Sequence, residues 1–385
     1  MKLVYADNNA TTQIDSIVLD EMLPFLKEYY GNPSSMYGLA EKSGTKIKEA
    51  RQRVAALINA SEDEIIFTSC GTESNNTAVH AALEKQPEKK HIITTRVEHP
   101  AIKSLCERLA RNGYRVTFVP VDKKGNLDTQ LLFKSITKDT AIVSVMWANN
   151  ETGVLFPVQE IAEDVRKKGI VFHTDAVQAV GKIPVDVKSA GVDMLTLSGH
   201  KIHAPKGVAA LYVRKGLPFA SYLIGGHQER GRRGGTENVA SIVALGKACQ
   251  LAGSRLEVMN TKIRAMRDRL ENELLEKIPN SAINGNRENR VPSTTNVGFN
   301  SIEGEAILLM LDQLGICASS GSACTSGSLE PSHVLRAMNV PFTSAHGSVR
   351  FSFSTYNEEK EVDYIVEKLP PIIARLRELS PFWKQ

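Results

Sequence analysis

"GIVFHTDAVQ", residues 169–178, decides the fold. Ile170, Val171 and Phe172 form an apolar run, and Asp175 opens a polar turn directly after it. Such a run, ended by turn chemistry, reads as a strand buried on both faces. It is not alone. "EIIFTS" (64–69), "HIITTR" (91–96), "RVTFVP" (115–120), "AIVSVMW" (141–147), "DMLTLS" (193–198) and "VAALYV" (208–213) have the same form. Polar turns and helical stretches separate them. Apolar strands alternating with helices imply an α/β fold: a mostly parallel seven-stranded sheet covered on both sides. Only a short loop separates the last two runs, so one strand is expected to run antiparallel.

Beyond this region the pattern changes. Val239 to Ile278 reads as one long or broken helix. After it come "TTNVGFN", the helical "EGEAILLMLDQLG", a small-residue loop, "VRFSFS" and an amphipathic stretch from about Glu358 to Glu378. A smaller α+β domain is expected, formed by residues 1–15 and 257–385, with a large domain over 16–256. The 47 basic and 43 acidic residues are interspersed, without the basic run or arm that would suggest nucleic acid. No apolar stretch reaches the roughly 18 residues of a membrane span, and the start lacks a signal peptide's hydrophobic region. Five widely spaced cysteines argue against a disulfide framework and for a reducing, cytoplasmic compartment. No histidine or cysteine cluster has metal-ligand spacing.

In open α/β sheets, ligands collect beyond the carboxyl ends of the strands. The first run is followed there by Gly71 and Thr72 at a helix start, which suits a phosphate and equally an ordinary cap. The second ends at His99, the fourth at Asn149 and Asn150, the fifth at Asp175 and Gln178. The sixth ends at Ser198, His200 and Lys201, with Lys206 close behind. Each alone has a bland reading: a structural histidine, a turn amide, a capping aspartate, a solvated lysine. Together they line one edge of one sheet. Pyridoxal 5'-phosphate needs such a set: a lysine for the Schiff base, a carboxylate for the pyridinium nitrogen, and hydroxyls with backbone N–H groups for the phosphate. Lys201 and Lys206 compete for the Schiff base, and position favours Lys201.

"ASSGSACTSGS" (318–328) holds Cys324 among small residues that cannot pack a core. An incidental surface thiol and a thiol that must be reachable are both compatible with it. Cys70, Cys106, Cys249 and Cys317 read as structural.

The chain resembles the cysteine desulfurases of the class-V branch of the fold-type I aminotransferases, most closely the nitrogen-fixation (NifS) branch. The likeness rests on "YADNNATT" (5–12), "FTSCGTESNN" (67–76), "VEHPA" (97–101), "WANNETG" (147–153), "FHTDAVQAVGK" (172–182), "LSGHKIHAPKG" (197–207), "GGHQERGRRGGTEN" (225–238) and "SSGSACTSGSLEPSHVLRAM" (319–338). It implies that Lys201 carries the cofactor and moves protons, that Asp175 pairs with its ring nitrogen, that Gln178 bonds its ring oxygen and that His99 stacks on it. Gly71, Thr72, Ser198 and His200 would hold the phosphate. Thr236 would reach the phosphate of a neighbouring subunit, making a homodimer. Asn150 and Arg350 would bind the carboxylate of L-cysteine, with Asn8 close by. Cys324 would take the substrate's sulfur as a persulfide, leave L-alanine, and hand the sulfur to a NifU- or IscU-type scaffold for iron–sulfur cluster assembly. A selenocysteine lyase or an ordinary class-V aminotransferase is the enzyme alternative. A sulfur carrier without catalysis is the other.

Overall fold

The computed structural model describes residues 3–320 and 331–383. Its strands in chain order are β1 (Val4–Tyr5), β2 (Ile65–Thr68), β3 (His91–Thr95), β4 (Arg115–Val119), β5 (Thr140–Ser144), β6 (Val171–Asp175), β7 (Met194–Ser198), β8 (Ala209–Val213), β9 (Ser281–Ile283), β10 (Thr294–Phe299), β11 (Ile316–Cys317), β12 (Ser319–Ser320) and β13 (Ser348–Ser352). Seven form one sheet in the order β2-β8-β7-β6-β5-β3-β4. All seven apolar runs of the sequence are in it. β8 is antiparallel to both its neighbours, and the other pairs are parallel. This is the antiparallel strand expected from the short loop.

Burial explains why these strands carry no polar alternation. Ile65, Phe67, Ile93, Val143, Phe172 and Leu195 join one buried cluster. Their neighbours Ile66, Ile92, Ile142, Met194 and Leu211 join a second. Successive side chains of a strand point to opposite faces, so both faces of this sheet must be apolar. Helices Gly38–Leu57 and Val239–Ser254 pack together over the first face. Their contact is close because one residue has no side chain. A Cβ on Gly246 would lie 2.5 Å from Ala50 Cα.

A second layer of structure has its own core. β12-β13-β10-β9 form an antiparallel sheet, and β1 pairs in parallel with β11. Val4, Val297, Phe299, Phe351, Val362 and Leu369 lie in one cluster there. The long helical region expected from Val239 to Ile278 is broken. Helix Val239–Ser254 stops, a π-turn occupies Met259–Ile263, and helix Arg264–Lys277 follows.

Six strands, β2 to β7, run the same way and deliver their carboxyl ends to one edge of the large sheet. The turn after β3 is held by Glu98, which is fully buried. Its Oε1 accepts hydrogen bonds from Thr95 Oγ1 at 2.8 Å and the Met146 amide at 3.0 Å. Burial pushes this carboxyl up to about 8, with Asp175 adding and the two hydrogen bonds opposing.

Two outcomes follow for the cofactor-free protein under denaturant. Gly246→Ala is expected to cost about 1–3 kcal/mol by overpacking. Gly253→Ala on the same helix, where a Cβ meets only Leu57 Cδ1 at 3.5 Å, should be neutral or stabilising by up to about 1 kcal/mol. The folded chain retains the Glu98 proton, whereas the unfolded chain releases it above its ordinary pKa of 4.5. That contribution is whole below pH 4.5 and is lost as the pH rises through about 8. Glu98→Gln should therefore match wild type at pH 5 and exceed it by about 2–4 kcal/mol at pH 9. An equal difference at both pH values would contradict a protonated Glu98.

Candidate active site

The carboxyl edge of the large sheet opens on a cavity of about 400 Å³. Its walls include Gly71, Thr72, His99, Asn150, Asp175, Gln178, Ser198, His200, Lys201 and Arg350. Ten residues singled out from the sequence thus meet in one place. Of the two lysines the sequence offered, Lys201 lines the cavity, and Lys206 is exposed and does not.

One wall is an anion cradle. Helix Gly71–Glu84 begins three residues after β2, capped by the Cys70 thiol, which accepts from the Glu73 amide. The first-turn N–H groups of a helix lack intrahelical acceptors and favour negative charge. A Cβ on Gly71 would come 3.2 Å from Val177 Cγ2 and 3.6 Å from Ser198 Cβ, so glycine keeps this floor open. Ser198 Oγ is buried and has no hydrogen-bond partner among the described residues. A buried hydroxyl in that state is costly unless a ligand completes it. Thr72 and His200 stand beside it. Burial, reinforced by Lys201, Lys206 and His99, lowers the His200 imidazole to about 4, so it is neutral at physiological pH. This donor set fits the phosphate of pyridoxal phosphate.

A second wall fits the ring. Asp175 ends β6 with its carboxylate buried, accepting from Asn75 Nδ2 at 2.6 Å and the Val177 amide at 3.0 Å. His99 caps helix Pro100–Arg111, and its Nδ1 accepts from the Ala101 amide at 3.1 Å. Burial, opposed by Asp175 and aided by Lys201, holds His99 below the ordinary histidine range. A neutral ring with Nδ1 accepting carries its proton on Nε2. Lys201 Nζ donates to the carbonyls of Asn9 at 2.7 Å and Ala10 at 2.5 Å.

At the third wall, Arg350 Nη2 pairs with Asp7 at 2.7 Å and Nη1 donates to the Asn150 carbonyl at 2.9 Å. Its Nε and the Asn150 Oδ1 are buried without a partner among the described residues. The guanidinium is thus held in place with its Nε–H unengaged. Ser319 and Ser320 complete this side of the cavity.

Two expected positions are elsewhere. Asn8 is buried with its amide on Ser352 O, Tyr5 O and Asn357 Oδ1, and does not line the cavity. Its neighbour Asn9 does. Thr236 lies in a separate cavity of about 160 Å³ with Ser69, Arg233 and Glu237. Cys324 lies outside the described residues. Among the other cysteines, Cys106 and Cys249 are buried as expected, while Cys317 is only partly buried. Cys70 caps a helix and lines the cavity rather than packing in a core.

The sequence reading passed over Asn75, Asn9 and Glu151. Each lies inside a quoted motif, "FTSCGTESNN", "YADNNATT" or "WANNETG", but its role depends on partners distant in the chain. Glu151 is buried against Ser332. Burial raises its carboxyl to about 7, with Ser332 and Arg350 opposing.

The class-V aminotransferase family model matches residues 4–365. A cysteine desulfurase of Nostoc sp. is 57% identical over 382 residues, spanning 99% of this chain and 96% of that protein. Cysteine desulfurase NifS of Azotobacter vinelandii is 56% identical over 381 residues, spanning 99% and 95%. Among solved structures, a NifS-like protein aligns with a TM-score of 0.92 at 38% identity, covering 97% of this chain and all of that one. SspA in complex with cysteine aligns with a TM-score of 0.82 at 33% identity, covering 92% of this chain and 100% of the other. By these matches over nearly its whole length, the chain belongs to the class-V aminotransferase family, among its pyridoxal-phosphate-dependent cysteine desulfurases.

Proposed function

We propose that the chain removes sulfur from L-cysteine and carries it on Cys324. The stoichiometry closes without an outside oxidant: L-cysteine plus the Cys324 thiol gives L-alanine plus a Cys324 persulfide. The C–S bond of the substrate breaks, a S–S bond forms, and the thiol proton ends on the alanine side. The observation that carries this reading is the single cavity uniting Lys201, Asp175, His99 and Arg350, whose wall includes Ser320, from which the chain runs on to Cys324.

When bound, pyridoxal phosphate supplies an electron sink for charge that develops at the substrate's α-carbon. In this reading Ser198 Oγ, Thr72, His200 and the amides opening helix Gly71–Glu84 hold its phosphate. Asp175 faces its ring nitrogen, kept in place by Asn75, and Gln178 faces its ring oxygen. Lys201 Nζ takes the proton from the α-carbon and returns it. Arg350 Nε and Asn150 orient the substrate carboxylate, a charge-assisted contact. His99 Nε2–H is the donor nearest the reacting groups and suits a proton transfer to or from the substrate. The thiolate of Cys324 is the nucleophile, since thiols attack only when deprotonated.

Two wider assignments belong to the same reading. The chain works as a homodimer in the cytoplasm, with Thr236 completing the phosphate site of a partner subunit; its place in a cavity other than that of Lys201 supports this. Residues 16–256 form a cofactor domain, with 1–15 and 257–385 as the smaller one, supported by the separate core of the second sheet. The sulfur passes to a NifU- or IscU-type scaffold for iron–sulfur clusters, including those of nitrogen fixation, in keeping with the Azotobacter vinelandii relative.

With L-cysteine and a reductant present, Cys324→Ala should still change the cofactor absorbance on mixing with substrate, yet release sulfide about 100-fold more slowly or worse, equivalent to about 2.7 kcal/mol. Sulfide release at the wild-type rate would remove Cys324 from the reaction. Asp175→Asn should keep bound cofactor but lose about 100-fold in turnover, measured as alanine formed; an unchanged rate would contradict its place at the ring nitrogen.

A further inference from the structure

Behind Gln178 lies a lysine that the chemistry above does not use. Lys182 is 4% exposed. Buried lysines are rare unless paired, and among the described residues no carboxylate pairs with it. Its Nζ donates instead to two amide oxygens, Asn9 Oδ1 at 2.7 Å and Gln178 Oε1. The nearest titratable and charged groups are Lys201 and Arg350 across the network, and His203, Asp15 and Arg255 around a small adjoining cavity. Asp15 is itself taken by Arg255 at 2.7 Å.

The directions of these amides are fixed at their far ends. Asn9 Nδ2 donates to the Asn150 carbonyl at 3.2 Å and to Thr294 Oγ1 at 2.9 Å, which leaves Oδ1 for Lys182. Gln178 Nε2 donates to the Asn9 carbonyl at 3.0 Å, which leaves Oε1 for Lys182. A lysine ammonium has only donors. It therefore holds Gln178, a lining residue of the cavity, with its oxygen on Lys182 and its NH2 on the Asn9 carbonyl, one N–H of that NH2 remaining to give. The same Asn9 carbonyl accepts from Lys201.

We propose that Lys182 is a positioning residue that locks the Gln178 amide so that it presents a donor to the ring oxygen of the cofactor. This rests on the assignment of Gln178 and Lys201 to the cofactor given above. Without Lys182, Gln178 Oε1 becomes a buried acceptor with no partner, and the amide rotates to relieve it. The ring oxygen then loses its donor. A donor there stabilises negative charge on the oxygen and so weakens the hold on a proton at the adjacent Lys201 nitrogen. Burial and the neighbouring Lys201 and Arg350 also push Lys182 well below the ordinary lysine range; both acceptors are fixed at their far ends, so Nζ donates to them with or without its charge.

The test is a pH titration of the visible absorbance of the cofactor-loaded protein, without substrate. Lys182→Met should move the midpoint upward by about 0.5–1 pH unit. Lys182→Gln, which still donates to Gln178, should remain within about half of that shift. In a Gln178→Ala background, Lys182→Met should add nothing, because its effect runs through the lost amide. An unmoved midpoint in folded, loaded Lys182→Met overturns the proposal, as does an undiminished shift in the Gln178→Ala background. Should Lys182→Met fail to load cofactor, a wild-type midpoint in Lys182→Gln supports the proposal and a full shift in it overturns the proposal. Gln178→Ala alone separates the two readings: if it leaves the midpoint unmoved, Gln178 is not at the ring oxygen and the underlying assignment fails instead.

Discussion

The site depends on one asparagine that uses every polar group it has. The Asn9 amide N–H donates to Ser352 Oγ, and its carbonyl receives Lys201 and Gln178. Its side chain donates to Asn150 and Thr294 and accepts from Lys182. At 2% exposure none of these bonds competes with water. Through this residue the start of the chain, the turn after β6, the loop after β7 and strands β10 and β13 of the second sheet share one fixed geometry. Breaking any of these bonds would leave a buried group unsatisfied, which costs more than the bond contributes net. Lys201 is thereby held at a residue that both cores fix.

The charge balance of the cavity follows from burial more than from pairing. His99 and His200 are both neutral because desolvation disfavours the imidazolium, against Asp175 at His99 and with the help of Lys201 and Lys206 at His200. Arg350 brings a positive charge to the cavity, and Asp175 a carboxylate held by Asn75. Glu98 and Glu151, pushed up by the same burial, add less negative charge than their composition implies. Had all the carboxyls near the site been ionised, they would have opposed the binding of an anionic cofactor and a carboxylate substrate.

The large sheet was legible in the sequence because its strands, most of them buried on both faces, carry apolar runs bounded by turn residues. Seven apolar runs correspond to seven strands, and a missing helix betrays the antiparallel one. Residues at the strand ends could be read for the same reason: position along a parallel sheet fixes which edge they share. The π-turn at Met259–Ile263 was not legible, since its residues suit an ordinary helix. Nor was the division of labour between Asn8 and Asn9. Adjacent identical side chains are told apart only by what they meet, here Asn357 for one and Lys182 for the other. Lys182 was hidden by its type, because a lysine after a turn reads as solvated. Its burial comes from the strands and helices folded over it.

Strand β2 has a single partner in its sheet, β8, which the ribosome makes much later. Residues 65–68 have no ladder to join until residues 209–213 exist. The turn that follows β2 is the floor of the anion cradle, so this floor sets only once the middle of the sheet is laid down and its far strand has turned back. Closing so long a loop is slow relative to local helix formation. Asn9 waits longer still, since Thr294 and Ser352 come near the end of the chain. The nascent protein therefore has no finished cofactor site while most of it is being synthesised, and cofactor capture is one of the last events of its folding rather than a nucleus for it.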